Sequence, residues 1–182
     1  MHRFCLFILH CSLVILFSGC SATTPPAAEV GQAITFKLTS PAFDQGQAIP
    51  AQYTCNGAGM SPPLRWTDPP TGAQSLALIM DDPDAPGGTW VHWVLFNLPA
   101  DLRELPEQAA LPAESSGGKN GWGRTDYGGP CPPGGTHRYF FKLYALDTKL
   151  DLPAGASKNQ LLTAMQDHIL GQTELMGTYA QK

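Results

Sequence analysis

Two segments concentrate the side chains able to do chemistry. DDPDAPGGTWVHW at residues 81–93 joins three carboxylates to a histidine flanked by tryptophans, and GGPCPPGGTHRYFFKLYAL at 128–146 carries a cysteine, a histidine and a tyrosine. On a strand, residues two apart share a face. Trp90 and His92 are then expected to point one way with Val94 and Phe96, and Trp93 the other. His137 and Tyr139 share a face with Phe141 and Leu143, opposite Arg138, Phe140 and Lys142. Each strand opens on a polar-aromatic pair and continues apolar on that face, a pattern that suits a pocket at a sheet rim with the core as its floor. Two imidazoles, a phenol and an indole N–H can donate hydrogen bonds. A glycine-rich loop adds backbone N–H groups, and a carboxylate from 81–84 can hold a histidine ring. The set favours a small oxyanion, a phosphate or a carboxylate. Satisfied structural histidines are the plainer alternative.

Other chemistries find less support. Two histidines and an aspartate could form a metal-binding triad, but no tight ligand spacing supports one, and neither a metal nor a cofactor is expected. A His-Asp pair could serve a hydrolase; no G-x-S-x-G elbow accompanies it, and Cys131 is unavailable as a nucleophile if it is bridged. Asp84 and Arg138 could form an ion pair under the loop.

The elements that must position these residues are short, because 19 glycines and 17 prolines are spread along the chain. Residues 33–39 alternate, with Ile34, Phe36 and Leu38 on one face. Strand-like apolar runs follow at 75–80, at 90–98 (closed by Pro99) and at 138–146, and Glu174–Tyr179 suits a final strand. Ser157 and Gln160 form a capping box for a helix carrying Leu161, Leu162, Met165 and Ile169 on one face and ended by Gly171. Leu102–Gln108 is expected to hold a helical turn, limited by Pro106. The fold class is mainly β, two packed sheets with a few short helices.

The amino terminus reads as an export signal. A basic start, an apolar run from Phe4 to Phe17 too short to span a membrane, and small residues before Cys20 give residues 1–19 as a signal peptide. The end of the signal resembles a bacterial lipobox, in which the cysteine, here Cys20, is lipidated; Phe17 stands where leucine is usual. Residues 20–30 suit a flexible tether and 31–182 one folded domain. The expected location is the cell envelope, lipid-anchored and facing the periplasm or the cell surface; a plain signal would make it periplasmic or secreted. Of five cysteines, two then remain, Cys55 and Cys131. An oxidising compartment favours a disulfide between them, closing a 76-residue loop worth about 4–4.5 kcal/mol in the chain-entropy model; two free buried thiols are the alternative. A net charge of −4 without a basic stripe argues against nucleic acid. No basic amphipathic helix is present, so membrane contact is expected through the lipid alone.

DPDAPGGTWVHW and GPCPPGGTHRYFFKLYAL resemble the two signature blocks of the phosphatidylethanolamine-binding protein family, and TCNGAGMSPPLRW at 54–66 and YGGPCPP at 127–133 resemble its bacterial Raf-kinase-inhibitor-like branch. The resemblance runs from about Ile34 to Tyr179. It implies a β-sandwich of two antiparallel sheets with short peripheral helices, and a pocket for anions such as phosphate, acetate or phosphorylethanolamine headgroups. Carried onto this chain, the pocket residues it implies are Asp82, Trp90, His92, Pro130, His137 and Tyr139, with Pro83, Asp84 and Pro86 shaping the loop. Cys131 stands where eukaryotic members have a second proline, and the extra carboxy-terminal helix of those members has no counterpart before Lys182, which is expected to leave the site more open. The function so implied is that of a non-enzymatic binding protein for a small anion or phosphorylated group. The alternatives are a protein-interaction or inhibitor module docking an envelope partner at the pocket and, behind it, a weak hydrolase or metal enzyme. Inhibition of a cytosolic kinase does not suit an exported chain.

Overall fold

A computed structural model describes residues 36–181; the expected signal peptide, Cys20, the whole tether and residues 31–35 of the expected domain lie outside the described residues. The chain forms β1 (Leu38–Thr39), a 3₁₀ turn (Ala51–Tyr53), β2 (Leu64–Trp66), β3 (Ser75–Asp82), β4 (Trp90–Pro99), β5 (Glu104–Leu105), β6 (Ser116–Gly117), β7 (Thr136–Leu146), α1 (Lys158–Met165) and β8 (Ile169–Ala180). A five-stranded sheet is ordered β6-β4-β3-β7-β8 and a three-stranded one β1-β2-β5, every pair antiparallel. No helix among the described residues is long and apolar enough to cross a membrane.

Strand β3 lies at the centre of the large sheet, and all eight of its residues are buried. Its alternate side chains feed two cores. Leu76, Leu78 and Met80 join Tyr139, Phe141 and Leu143 of β7 and meet Leu38, Leu64, Trp66 and Leu105 of the small sheet. Ala77 and Ile79 face the other way, with Val94, Phe96 and Leu146, and are covered by Leu161 and Met165 of α1. The architecture is therefore a β-sandwich with one helix closing the outer face.

Four elements differ from the sequence expectations. Of the strand expected over 33–39, residues 33–35 lie outside the described residues, and β1 is two residues long among the described ones, with the Lys37 N–H before it turned to Thr67 Oγ1 (2.9 Å). Glu104–Leu105 pairs with β2 as a strand, in place of a helical turn, because Leu105 is buried opposite Leu64. The capping box at Ser157 is present, but α1 stops at Met165. His168 N–H bonds back to Met165 O (3.0 Å) and Asp167 takes a left-handed φ of 67°, so Ile169 begins β8 and is exposed, as is Leu162. Gly171, expected as the helix stop, lies in β8 against Pro70, where a Cβ would come within 2.8 Å of the proline ring. β8 also begins five residues before the expected Glu174. Its first half is an exposed edge without apolar alternation.

Candidate functional site

A β-bulge in β4 aims the site. Met80 pairs with Trp93 and Asp81 with Val91, which leaves His92 as the extra residue. Strict alternation predicts His92 beside Val94 and Phe96; the bulge reverses this. Val94 and Phe96 pack in the core under α1, whereas Trp93 joins the core between the sheets that also holds Tyr139. The ring of His92 stands edge-on to Tyr139 at 5.2 Å between centroids. Trp90 sits opposite Asp82 in the ladder, so Asp82, Trp90, His92, His137 and Tyr139 line one cavity of 580 Å³.

The three acids of DDPDAP divide the work of this corner. Asp81 points to the helix-covered face, buried, and is ion-paired to Lys142 (3.0 Å) and to Lys158 at the start of α1. Asp82, on the opposite face, accepts from His137 Nδ1 (2.7 Å) through Oδ2 and from the Asp84 N–H (2.8 Å) through Oδ1. Asp82 thus orients His137 through one oxygen and holds the start of the loop through the other. Asp84 accepts from the Arg138 N–H, Nε and Nη2 at 2.7–2.9 Å. This bidentate pair is the one expected from sequence; together with the Arg138 backbone N–H it draws the Asp84 carboxyl down to about 2. Between Asp84 and β4 the loop turns at Gly88, whose φ of +99° suits glycine.

The tautomers of both histidines follow from their partners. His92 Nδ1 donates to the Gly128 carbonyl at 2.7 Å and His137 Nδ1 to the Asp82 carboxylate, so each ring keeps its Nε2 free. Burial lowers the pKa of His92, opposed in part by the bond to Gly128 O and the charges of Asp82 and Asp81. Tyr139 is fully buried, and its hydroxyl makes no hydrogen bond of ordinary geometry; the acceptor near it is the Asp82 carboxylate. Burial first, then the charge of the Asp82 carboxylate and its hydrogen-bonding contact with the phenol, push its pKa up, so the phenol keeps its proton and remains a donor.

The rim was only half legible from sequence. Trp122, outside both signature blocks, lines the cavity edge-on to Trp90 (5.4 Å) and to His92 (5.3 Å). Two glycines make room for these indoles: a Cβ on Gly121 would come within 2.3 Å of Trp90, and one on Gly128 within 2.2 Å of Trp122. The one available signal is a tryptophan set among glycines in NGWGRTDYGG. Pro130, expected in the pocket, does not line it. Its carbonyl accepts the Cys55 N–H (3.0 Å), turning that residue toward the 3₁₀ segment, and Cys131, Pro132 and Pro133 form the wall instead. Cys131 and Cys55 are joined in a disulfide with Cα atoms 5.4 Å apart.

A cavity of 450 Å³ on the far side of segment 121–131 contains one carboxylate, Asp126, paired with Arg124, and no histidine. Among the described residues no three His, Cys, Asp or Glu side chains converge as metal ligands.

Comparison with known proteins gives consistent relatives. The family pattern described as phosphatidylethanolamine-binding protein matches residues 39–180. A UPF0098 protein of Methanothermobacter thermautotrophicus is 53% identical over 146 residues, 78% of this chain and 97% of its own. A Mycobacterium tuberculosis protein named as a lipoprotein is 43% identical over 161 residues, 87% of this chain and 77% of its own. Among solved structures, a phosphatidylethanolamine-binding protein homologue from Chlamydia trachomatis superposes with a TM-score of 0.79 at 44% identity, covering 82% of this chain and 100% of that one. YbcL of Escherichia coli does so with 0.76 at 31% identity, covering 81% and 99%.

Proposed function

The chain belongs to the phosphatidylethanolamine-binding protein family, and from that premise we propose that it is a non-enzymatic binding protein whose 580 Å³ cavity takes the phosphate or carboxylate group of a small molecule. The observation that carries this reading is the Tyr139 hydroxyl, buried at the cavity with no well-formed hydrogen bond and only the Asp82 carboxylate, already bonded to His137 and Asp84, near it. An orphaned donor in such a place costs about 1–3 kcal/mol, and an anion is the acceptor it lacks. His92 and His137 support the same ligand. With their Nδ1–H bonds already engaged, both offer Nε2, which donates to an anion once the ring is protonated. The cavity is larger than an inorganic anion needs and is rimmed by Trp90, Trp122, Pro132 and Pro133, which suits an anion borne on a larger group. Neither Cys131, bonded to Cys55, nor the phenol of Tyr139, held protonated, is available to the His-Asp pair as a nucleophile.

Calorimetric titration with inorganic phosphate and with phosphorylethanolamine tests the reading. One site per chain is expected, weakened about tenfold or more in His137→Ala by loss of a charge-assisted hydrogen bond. Equal binding by both proteins would remove the anion site.

A second reading, docking of an envelope protein's loop or terminus, rests on the exposure of Trp90 (39%) and Trp122 (45%) at the rim, aromatic anchors of the kind that dominate interfaces. Envelope anchoring through Cys20 is part of the proposal and is supported by the relative named as a lipoprotein.

A further inference from the structure

We propose that the Cys55–Cys131 disulfide is a site of thiol–disulfide exchange with a dithiol, and that its redox state gates the cavity; the inference rests on the anion reading above. Cys131 lines the cavity, and both cysteines are exposed, so a thiolate reaches either sulfur without opening the core.

Beyond this bond the wall is held by the packing of buried Pro132 and by few polar contacts. Up to Pro130 the segment is pinned: Gly128 N–H donates to His92 O (3.0 Å), Gly129 lies against the backbone of Tyr53 and Thr54, and the Pro130 carbonyl accepts from Cys55 (3.0 Å). From Pro132 to Gly135 no hydrogen bond outside the β7–β8 ladder ties the chain down, and that ladder begins at Thr136. Apart from the packing of Pro132, the disulfide is therefore the last anchor of Pro132 and Pro133 before β7, and these two residues close one side of the cavity. Bonds to the deep groups, His92 to Gly128 O and His137 to Asp82, do not pass through it. Reduction thus loosens the wall and leaves the polar floor in place.

The exchange balances as follows. A thiolate of the dithiol attacks one cystine sulfur, the S–S bond breaks, and a mixed disulfide forms while the other cysteine leaves as thiolate. The second thiol of the donor then displaces the remaining sulfur. Two electrons pass to the chain, the donor departs as a disulfide, and Cys55 and Cys131 end as thiols after taking up two protons. Because binding and redox state are linked, an anion that prefers the bridged form makes that form harder to reduce by the same factor.

The test uses the intact protein and inorganic phosphate. Affinity is measured calorimetrically on the oxidised chain, on the chain reduced with dithiothreitol, and after reoxidation, with near-ultraviolet circular dichroism following the core. The expected result is binding about fivefold or more weaker on reduction, restored on reoxidation, with the core signal retained. The reduction potential, poised in a dithiothreitol redox buffer, should fall at saturating phosphate by about 30 mV for each tenfold difference in affinity. A Cys55→Ala/Cys131→Ala chain should bind like the reduced form. Equal affinity in both states with a phosphate-independent potential overturns the gate and leaves the anion site standing. Loss of the core signal on reduction overturns it too, since the bond is then a structural staple. No phosphate binding by the oxidised chain removes the anion reading and the gate together.

Discussion

Replacing Tyr139 by phenylalanine should strengthen the empty protein and weaken the liganded one. The side chain is fully buried, its ring packs edge-on against His92, and its hydroxyl makes no well-formed hydrogen bond, with only the occupied Asp82 carboxylate near it. Tyr139→Phe keeps the ring and deletes the orphan. An unsatisfied buried polar group costs about 1–3 kcal/mol; allowing for relaxation around the site, the free protein should gain about 1–2 kcal/mol, seen as a rise in Tm of roughly 2–6 °C for a domain of this size. Binding should change in the opposite direction. A hydrogen bond to a charged acceptor is worth about 1.5–3 kcal/mol, so phosphate affinity should fall by about 10- to 150-fold. Thermal melts of both proteins, each without and with phosphate, read the two effects in one assay: the variant melts higher when empty and gains less from the ligand. A variant that melts lower when empty, or gains as much from phosphate as the wild type, would show that the hydroxyl has a partner of its own, and the reasoning would fail.

Four further outcomes follow from the same geometry. Burial holds the pKa of His92 below the ordinary histidine value, so the empty ring is neutral at pH 7, and an anion should draw a proton onto it. Calorimetry in buffers of different ionisation enthalpy should show proton uptake, with affinity rising as pH falls; for the empty protein the sign is reversed, because the unfolded chain protonates first and stability is lost as pH drops through the histidine range. Gly121→Ala should push the Trp90 ring out of place, since the new Cβ would stand 2.3 Å from it, and should shift tryptophan fluorescence and weaken ligand binding. Breaking the disulfide by Cys55→Ala/Cys131→Ala removes a 76-residue cross-link worth about 4 kcal/mol in the chain-entropy model, which lowers Tm on the order of 10 °C. Cys20→Ser should abolish labelling by a radioactive fatty acid and move the protein from the membrane to the soluble fraction, whereas an unlabelled wild type would contradict the anchor.

The long strands were legible because their apolar runs are continuous and bounded by proline and glycine, as Ser75–Asp82 and Trp90–Pro99 are. The capping box at Ser157 was legible because it is a local chemical pair. What stayed hidden depends on register and tertiary contact. Nothing in WVHWV announces that His92 is the bulged residue; only its pairing against Met80 and Asp81 does. The three-stranded sheet has members of two or three residues, too short for any period to emerge. Pro130 and Pro132 are equivalent in a proline-rich sequence, and the Cys55 N–H that claims the Pro130 carbonyl lies 75 residues away. Trp122 belongs to the cavity because Gly121 and Gly128 let two indoles approach, a steric fact that composition does not carry.

The most direct test of the central claim follows the histidine side-chain nitrogens by ¹⁵N NMR while inorganic phosphate is added. His168, half-exposed and paired with Asp147 at the start of β8, serves as an internal reference outside the cavity. The account predicts that the Nε2 resonances of His92 and His137 move together toward the protonated range and saturate with one affinity, while those of His168 stay in place. Resonances of His92 and His137 that do not move, or that move no further than those of His168, would contradict it.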